Sequence, residues 1–163
     1  MDKHQQGHKD TLLQPQHHDR DMETRHFAGA AHCPGCGANY HAGRWSWQAL
    51  DAGARAEEAT CPACKRIAEK AAAGTVILSG AFVQTHREEI LNLIRNTEAM
   101  ENKEHALERL IDIADEEDAV VVTTTGMHLA NRIGHALDSA YDGSTRYTYS
   151  DDKTHLDVDW ERD

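Results

Sequence analysis

Up to Gly74 apolar side chains are sparse, whereas from Gly74 onward they fall into short runs and four-residue repeats. Thr75-Val76-Ile77-Leu78-Ser79 is a β-branched run that predicts a buried strand, with Gly80 as its breaker. Thr85 precedes His86-Arg87-Glu88-Glu89, and Ile90, Leu91 and Ile94 follow at helical spacing, which predicts a capped amphipathic helix. Ala106, Leu107, Leu110, Ile111 and Ala114 predict a second helix, capped by Asn102 and ended by the acidic run at 115–118. Ala119-Val120-Val121-Val122-Thr123-Thr124 is the clearest strand. Thr124 or Thr125 then caps a helix from Gly126 to Tyr141, along which Leu129, Ile133, Leu137 and Tyr141 recur every four residues until Gly143 stops it. Residues 145–149 and 155–160 read as a hairpin. In its second strand Leu156, Val158 and Trp160 alternate with His155, Asp157 and Asp159, so one face is buried and the other acidic. The order β-α-α-β-α-β-β describes a two-layer α/β sandwich, within an α+β chain.

The segment before it divides in two. Residues 1–31 are rich in His, Gln, Asp and Lys, with Leu12, Leu13, Met22 and Phe27 as the large apolar side chains. That is too little burial to offset the entropy of ordering a chain, so a disordered His-rich tail is expected. Residues 32–73 hold all four cysteines and are too short to fold on apolar burial alone. Cys33-Pro34-Gly35-Cys36 and Cys61-Pro62-Ala63-Cys64 form two C-x-x-C knuckles, the arrangement in which two turns each aim two thiolates at one ion. Zn2+ is the expected metal; iron and a dithiol redox role are the alternatives. Gly37 supplies the positive φ such a turn needs, and the run after Cys64 predicts a helix closed by Gly74. A knuckle, a short hairpin at 40–47 and a helix opened by the second knuckle make the layout of a treble-clef or zinc-ribbon module. Four thiolates close the coordination sphere, so the ion is structural.

Charge separates the regions further. The chain carries 17 Lys+Arg and 28 Asp+Glu, a net −11. Residues 1–32 have net −1, 33–73 net +1, and 74–163 the remaining −11. Affinity for phosphates comes from Lys and Arg, so the last region is a poor nucleic-acid surface and the cysteine region the better one. There Arg44, Trp45 and Trp47 offer a cation and two stacking faces, with Arg66 nearby, suited to unpaired RNA bases or a protein partner; core packing of the tryptophans is the competing reading. The turn Thr123-Thr124-Thr125-Gly126 invites a nucleotide-binding enzyme, with His128, His135 and Asp138 as imaginable acid-base groups, yet neither G-x-x-x-x-G-K-[ST] nor G-x-G-x-x-G is present. The reading is therefore non-enzymatic, with no catalytic residue assigned. No run spans a bilayer and the opening residues lack an apolar leader, so the expected compartment is the cytoplasm, without membrane association.

Cys33-Pro-Gly-Cys36-Gly37 with Cys61-Pro-Ala-Cys64, and Arg44-Trp45 between, resembles the N-terminal zinc-binding part of the nonsense-mediated-decay and large-ribosomal-subunit export-adaptor family. The resemblance implies that the four cysteines are zinc ligands and that the chain associates with the ribosome or RNA, as a translation-related or stress factor. By element order alone, the following region resembles the C-terminal domain of bacterial translation initiation factor three. A zinc-stabilised adaptor for another protein is the alternative. The organisation expected is a tail (1–31), a zinc module (32–73) and an acidic sandwich domain (74–163).

Overall fold

The computed structural model describes residues 27–163. The predicted tail lies outside the described residues except at its end, where Phe27 packs edge-on against Tyr40 and Trp45. Four three-residue strands follow: β1 (Ala30–His32), β2 (Asn39–His41), β3 (Arg44–Ser46) and β4 (Ala56–Glu58). They form a sheet in the order β3-β2-β1-β4, antiparallel except for the β1/β4 pair. The β2–β3 hairpin turns through Ala42 and Gly43 (φ 52° and 86°), the paired positive angles that match the twist of two joined strands. Helix α1 (Pro62–Glu69) then closes this half of the molecule.

The predicted stop for α1 is displaced. Lys70, in the left-handed region at φ 54°, caps it, while Gly74 opens β5 (Gly74–Ser79), where a Cβ would collide with Ala130 and Thr124. A short α2 (Ala81–Thr85) and the long α3 (Arg87–Glu104) follow, then β6 (Leu110–Glu116), β7 (Ala119–Thr124), α4 (Met127–Ala140), β8 (Ser144–Tyr149) and β9 (Leu156–Glu161). The five strands form a mixed sheet, β6-β7-β5-β9-β8, with β5 and β9 parallel and the other neighbours antiparallel.

The second predicted helix is a strand. Its sequence from Leu110 to Glu116 pairs with β7 across a two-residue turn at Glu117 and Asp118, and Ile113 reaches the core. The acidic run that was to end a helix thus makes a hairpin turn, with Glu117 at φ 34°. Helix α3 extends to Glu104 and absorbs Asn102, whose amide donates to the Ala106 and Glu108 carbonyls beyond it. The order is β-α-α-β-β-α-β-β, so the likeness in element order to the initiation-factor domain lapses.

Thr85 does not cap α3 either. His86 stands at that position, and the Thr85 hydroxyl donates back to the Phe82 carbonyl. Helix α4 lies across β5 and β9, and α3 packs on α4. Val76, Leu78, Ile90, Ile94, Val122, Leu129, Ile133, Leu137, Val158 and Trp160 fill the layer between them. The opposite face of the sheet carries no helix among the described residues.

Candidate metal centre

Each knuckle is fixed by its own backbone. The Cys33 amide donates to Ala38 O at 2.8 Å and the Gly37 amide to Cys33 O at 2.8 Å, a return that needs Gly37 at φ 86°. The second knuckle is the start of α1: Cys61 is its N-cap residue, Pro62 follows, and the Cys64 amide donates to Cys61 Sγ at 3.3 Å. A proline there gives up an amide that the helix leaves unpaired anyway. The Cys61 amide crosses to Cys33 Sγ at 3.3 Å and joins the two knuckles.

All four sulfurs lie within 4.8 Å of one another, Cys36 and Cys61 at 3.7 Å. Cys33 and Cys61 are buried, and Cys36 and Cys64 are half-buried. The cysteines form no disulfide. Burial disfavours the Cys33 thiolate, but amide donors at Cys61, Cys36 and Gly35 outweigh it and bring that thiol down to about 6. Burial pushes the Cys61 thiol up, the Cys64 amide opposes it, and the fields of the other sulfurs add to the rise. Sulfurs that impede one another's ionisation are what a bound cation relieves, and the cluster can hold a metal ion.

One ligand partner comes from the other half of the chain. Arg109, in the loop before β6, donates from Nη1 to Cys64 Sγ at 3.1 Å. Burial works against the guanidinium charge, yet the bond to Cys64 and the fields of Cys36 and Cys61 hold it on. The Arg109 amide donates to Thr125 Oγ1 at 2.9 Å and the Thr125 amide to Arg109 O at 2.8 Å, while Arg66 Nη1 donates to Thr125 O at 2.8 Å. Ala106 is buried in the core around the cysteines and Leu107 packs against it. Residues 106–109 therefore plug the cysteine region from outside it.

The proposed contact residues are dispersed. Trp45 is buried with Tyr40 and Phe27. Trp47 lies beyond the end of β3 and keeps 38% exposure, with its indole N–H donating to Asn102 O at 2.6 Å. Arg66 is turned toward Thr125, and Arg44 remains exposed. The Thr123–Gly126 turn is buried at Thr124, Thr125 and Gly126. Neither threonine caps α4: the Thr124 hydroxyl donates to Gly126 O and that of Thr125 to Leu107 O. The Glu108 carboxylate takes the Leu129 amide at 2.8 Å, in the place a phosphate would occupy at this helix N-terminus. His135 stacks on Tyr147, and Asp138 accepts from Thr145 and Tyr147.

Sequence reasoning missed Arg109 and Glu108, because neither has a local pattern and each acts across more than twenty residues. It also missed a second group of ligand-type side chains, Glu101, His105 and His128, whose donor atoms lie within 4.8 Å of one another. The Glu101-x-x-x-His105 spacing on a helix was the available signal. No family model, curated protein or solved structure matches the chain.

Proposed function

We propose that the chain is a non-enzymatic, zinc-stabilised binding protein that associates with the ribosome by docking its acidic sheet face on a basic protein segment. Zinc is favoured by the donor set: four thiolates at about 2.3 Å from a tetrahedral ion lie about 3.8 Å apart, and the 3.7 Å between Cys36 and Cys61 fits that edge. Bound there, the ion supplies structure and no activated water, since Cys33, Cys36, Cys61 and Cys64 would take all four positions. The knuckle layout is read as a treble-clef or zinc-ribbon variant, opened by Cys33 and closed by α1.

The observation that carries the binding role is the uncovered face of the five-stranded sheet. Ala114, Val121 and Ile77 make its half-buried centre. Asp112 and Glu116 on β6, with Asp157, Asp159 and Glu161 on β9, flank that centre, against Arg146 on β8. An apolar strip between two acidic rows suits a basic protein segment and repels nucleic acid. RNA contact through the cysteine half is the second reading, supported by the exposed Arg44 and weakened by the burial of Trp45. An enzymatic reading at the Thr123–Gly126 turn draws no support, because Glu108 fills the anion position.

Sedimentation of the purified chain with ribosomes at low salt tests the proposal. Co-sedimentation should be lost on raising salt and in Asp157→Lys/Asp159→Lys, with Arg44→Ala unchanged. Loss in Arg44→Ala but not in the charge-reversed variant transfers the contact to RNA. Migration of the unaltered chain with free protein at every salt concentration overturns the association.

A further inference from the structure

We propose that Glu101, His105 and His128 form a second metal site, exposed and labile, for a divalent transition-metal ion of the zinc or nickel class. Three side chains that can ligate such ions converge from two helices: Glu101 in the last turn of α3, His105 as its capping residue, and His128 in the first turn of α4. The backbone at His105 is held by its amide on Glu101 O at 2.9 Å and by its carbonyl, which accepts the Glu108 amide at 2.9 Å. Glu101 Oε1 and His128 Nε2 stand 2.7 Å apart, and the His105 and His128 rings meet edge to face at 4.9 Å.

Two neighbouring ligands of an octahedral ion at about 2.1 Å are about 3.0 Å apart, so an ion can replace the proton between Glu101 and His128 with little movement. Imidazole is the donor that favours zinc, nickel, copper or iron over magnesium and calcium, and two of the three ligands here are imidazoles. Two exposed histidines leave the remaining positions to water, which sets this site apart from the closed sulfur cluster. The acidic region around it, net −11 over residues 74–163, attracts a dication. Arg132 Nε, 3.6 Å from Glu101 Oε2, is the one opposing charge that pairs with the cluster among the described residues.

The test uses the full chain, because the histidines at 4, 8, 17, 18 and 26 are rival ligands. With the cysteines loaded by one equivalent of zinc, Ni2+ is titrated by calorimetry. One further ion should bind, and affinity should fall by at least about tenfold in His128→Gln and in His105→Gln, while Arg132→Gln binds more tightly. Circular dichroism establishes that each variant is folded. Replacing all five upstream histidines by Gln should leave this ion in place. Unchanged affinity in folded His105→Gln and His128→Gln, or loss of all nickel binding on replacing the upstream histidines alone, overturns the site.

Discussion

The two halves of the molecule are held together by different means. Around the cysteines the buried apolar residues are Ala31, Ala38, Ala59 and Ala63, with Tyr40 and Trp45 as the large buried side chains and Phe27 packed against them. The sandwich core holds Val76, Leu78, Ile90, Leu91, Ile94, Leu129, Ile133, Leu137, Leu156 and Trp160, all essentially inaccessible. A fully buried aliphatic side chain contributes roughly 1.5–3 kcal/mol and an alanine far less. Apolar burial per residue is therefore much greater in the sandwich than in the cysteine half. Small residues are also what the cysteine half requires, since three-residue strands and two knuckles must approach closely around four sulfurs. With the proposed zinc bound, the cysteine half trades apolar volume for ligand bonds, and it takes the rest of its core, Ala106 and Leu107, from its neighbour.

Withholding the proposed zinc should break the comparison most severely. Structural zinc in small domains is worth an apparent ~10–16 kcal/mol, more than an alanine-rich core can replace. A chelator under reducing conditions, or Cys61→Ser, is expected to release Trp45 and Tyr40 to solvent, seen as a red-shifted tryptophan emission, while the amides of β5, β7 and α4 stay protected from hydrogen exchange. A reduced, metal-free chain that keeps its native emission would show that the alanine core suffices. Ile133→Ala probes the opposite half. It opens a cavity between α4 and the sheet and should lower the unfolding free energy in urea by about 2–5 kcal/mol, with the cobalt spectrum of the native sulfur site unchanged.

The same contrast explains what could be read from sequence. The cysteine cluster was legible because C-x-x-C is a local pattern with one dominant chemistry, and β5, β7, α4 and the β8–β9 hairpin because their periodicity is strong. Residues 106–114 misled because Ala106, Leu107, Leu110, Ile111 and Ala114 fit a 3.6-residue repeat better than they fit the alternation of a strand. Pairing with β7 decided between the two, and pairing is a tertiary fact. The caps failed for a related reason. Thr124 and Thr125 have the right chemistry, but Glu108, eighteen residues before Gly126, reaches α4 first. The two tryptophans part company: β3 ends at Ser46, so Trp45 enters the core, as the packing alternative has it, and Trp47 turns toward α3.

Arg109 is where the halves meet electrically, so its removal should sharpen the comparison without unfolding either side. Four thiolates around the proposed dication would carry two net negative charges, and the guanidinium on Cys64 would offset part of them. Partners of this kind typically govern metal affinity by 10–100-fold. Arg109→Gln is therefore expected to weaken zinc binding by roughly that factor in competition with a chromophoric chelator, and to leave the urea midpoint of the sandwich nearly unmoved. An unaltered affinity would reduce the 3.1 Å contact to a packing detail.

The smallest effect lies wholly within the sandwich and at high pH. Burial beside α4, then the charge of Asp138, push the Tyr147 hydroxyl from its ordinary 10 up to about 12. Between those values the unfolded chain has lost a proton that the native chain still holds, so the unfolded state binds fewer protons and stability falls as pH rises. The contribution is complete below pH 10 and disappears as pH climbs through 12. Tyr147→Phe removes this alkaline loss, along with the 3.3 Å bond to Asp138. Phenolate absorbance of the native chain should show a late-titrating component near pH 12 that the variant lacks. Because no cysteine ligand touches Tyr147, the component should persist unchanged in Arg109→Gln, which separates titration of the sandwich from that of the metal centre.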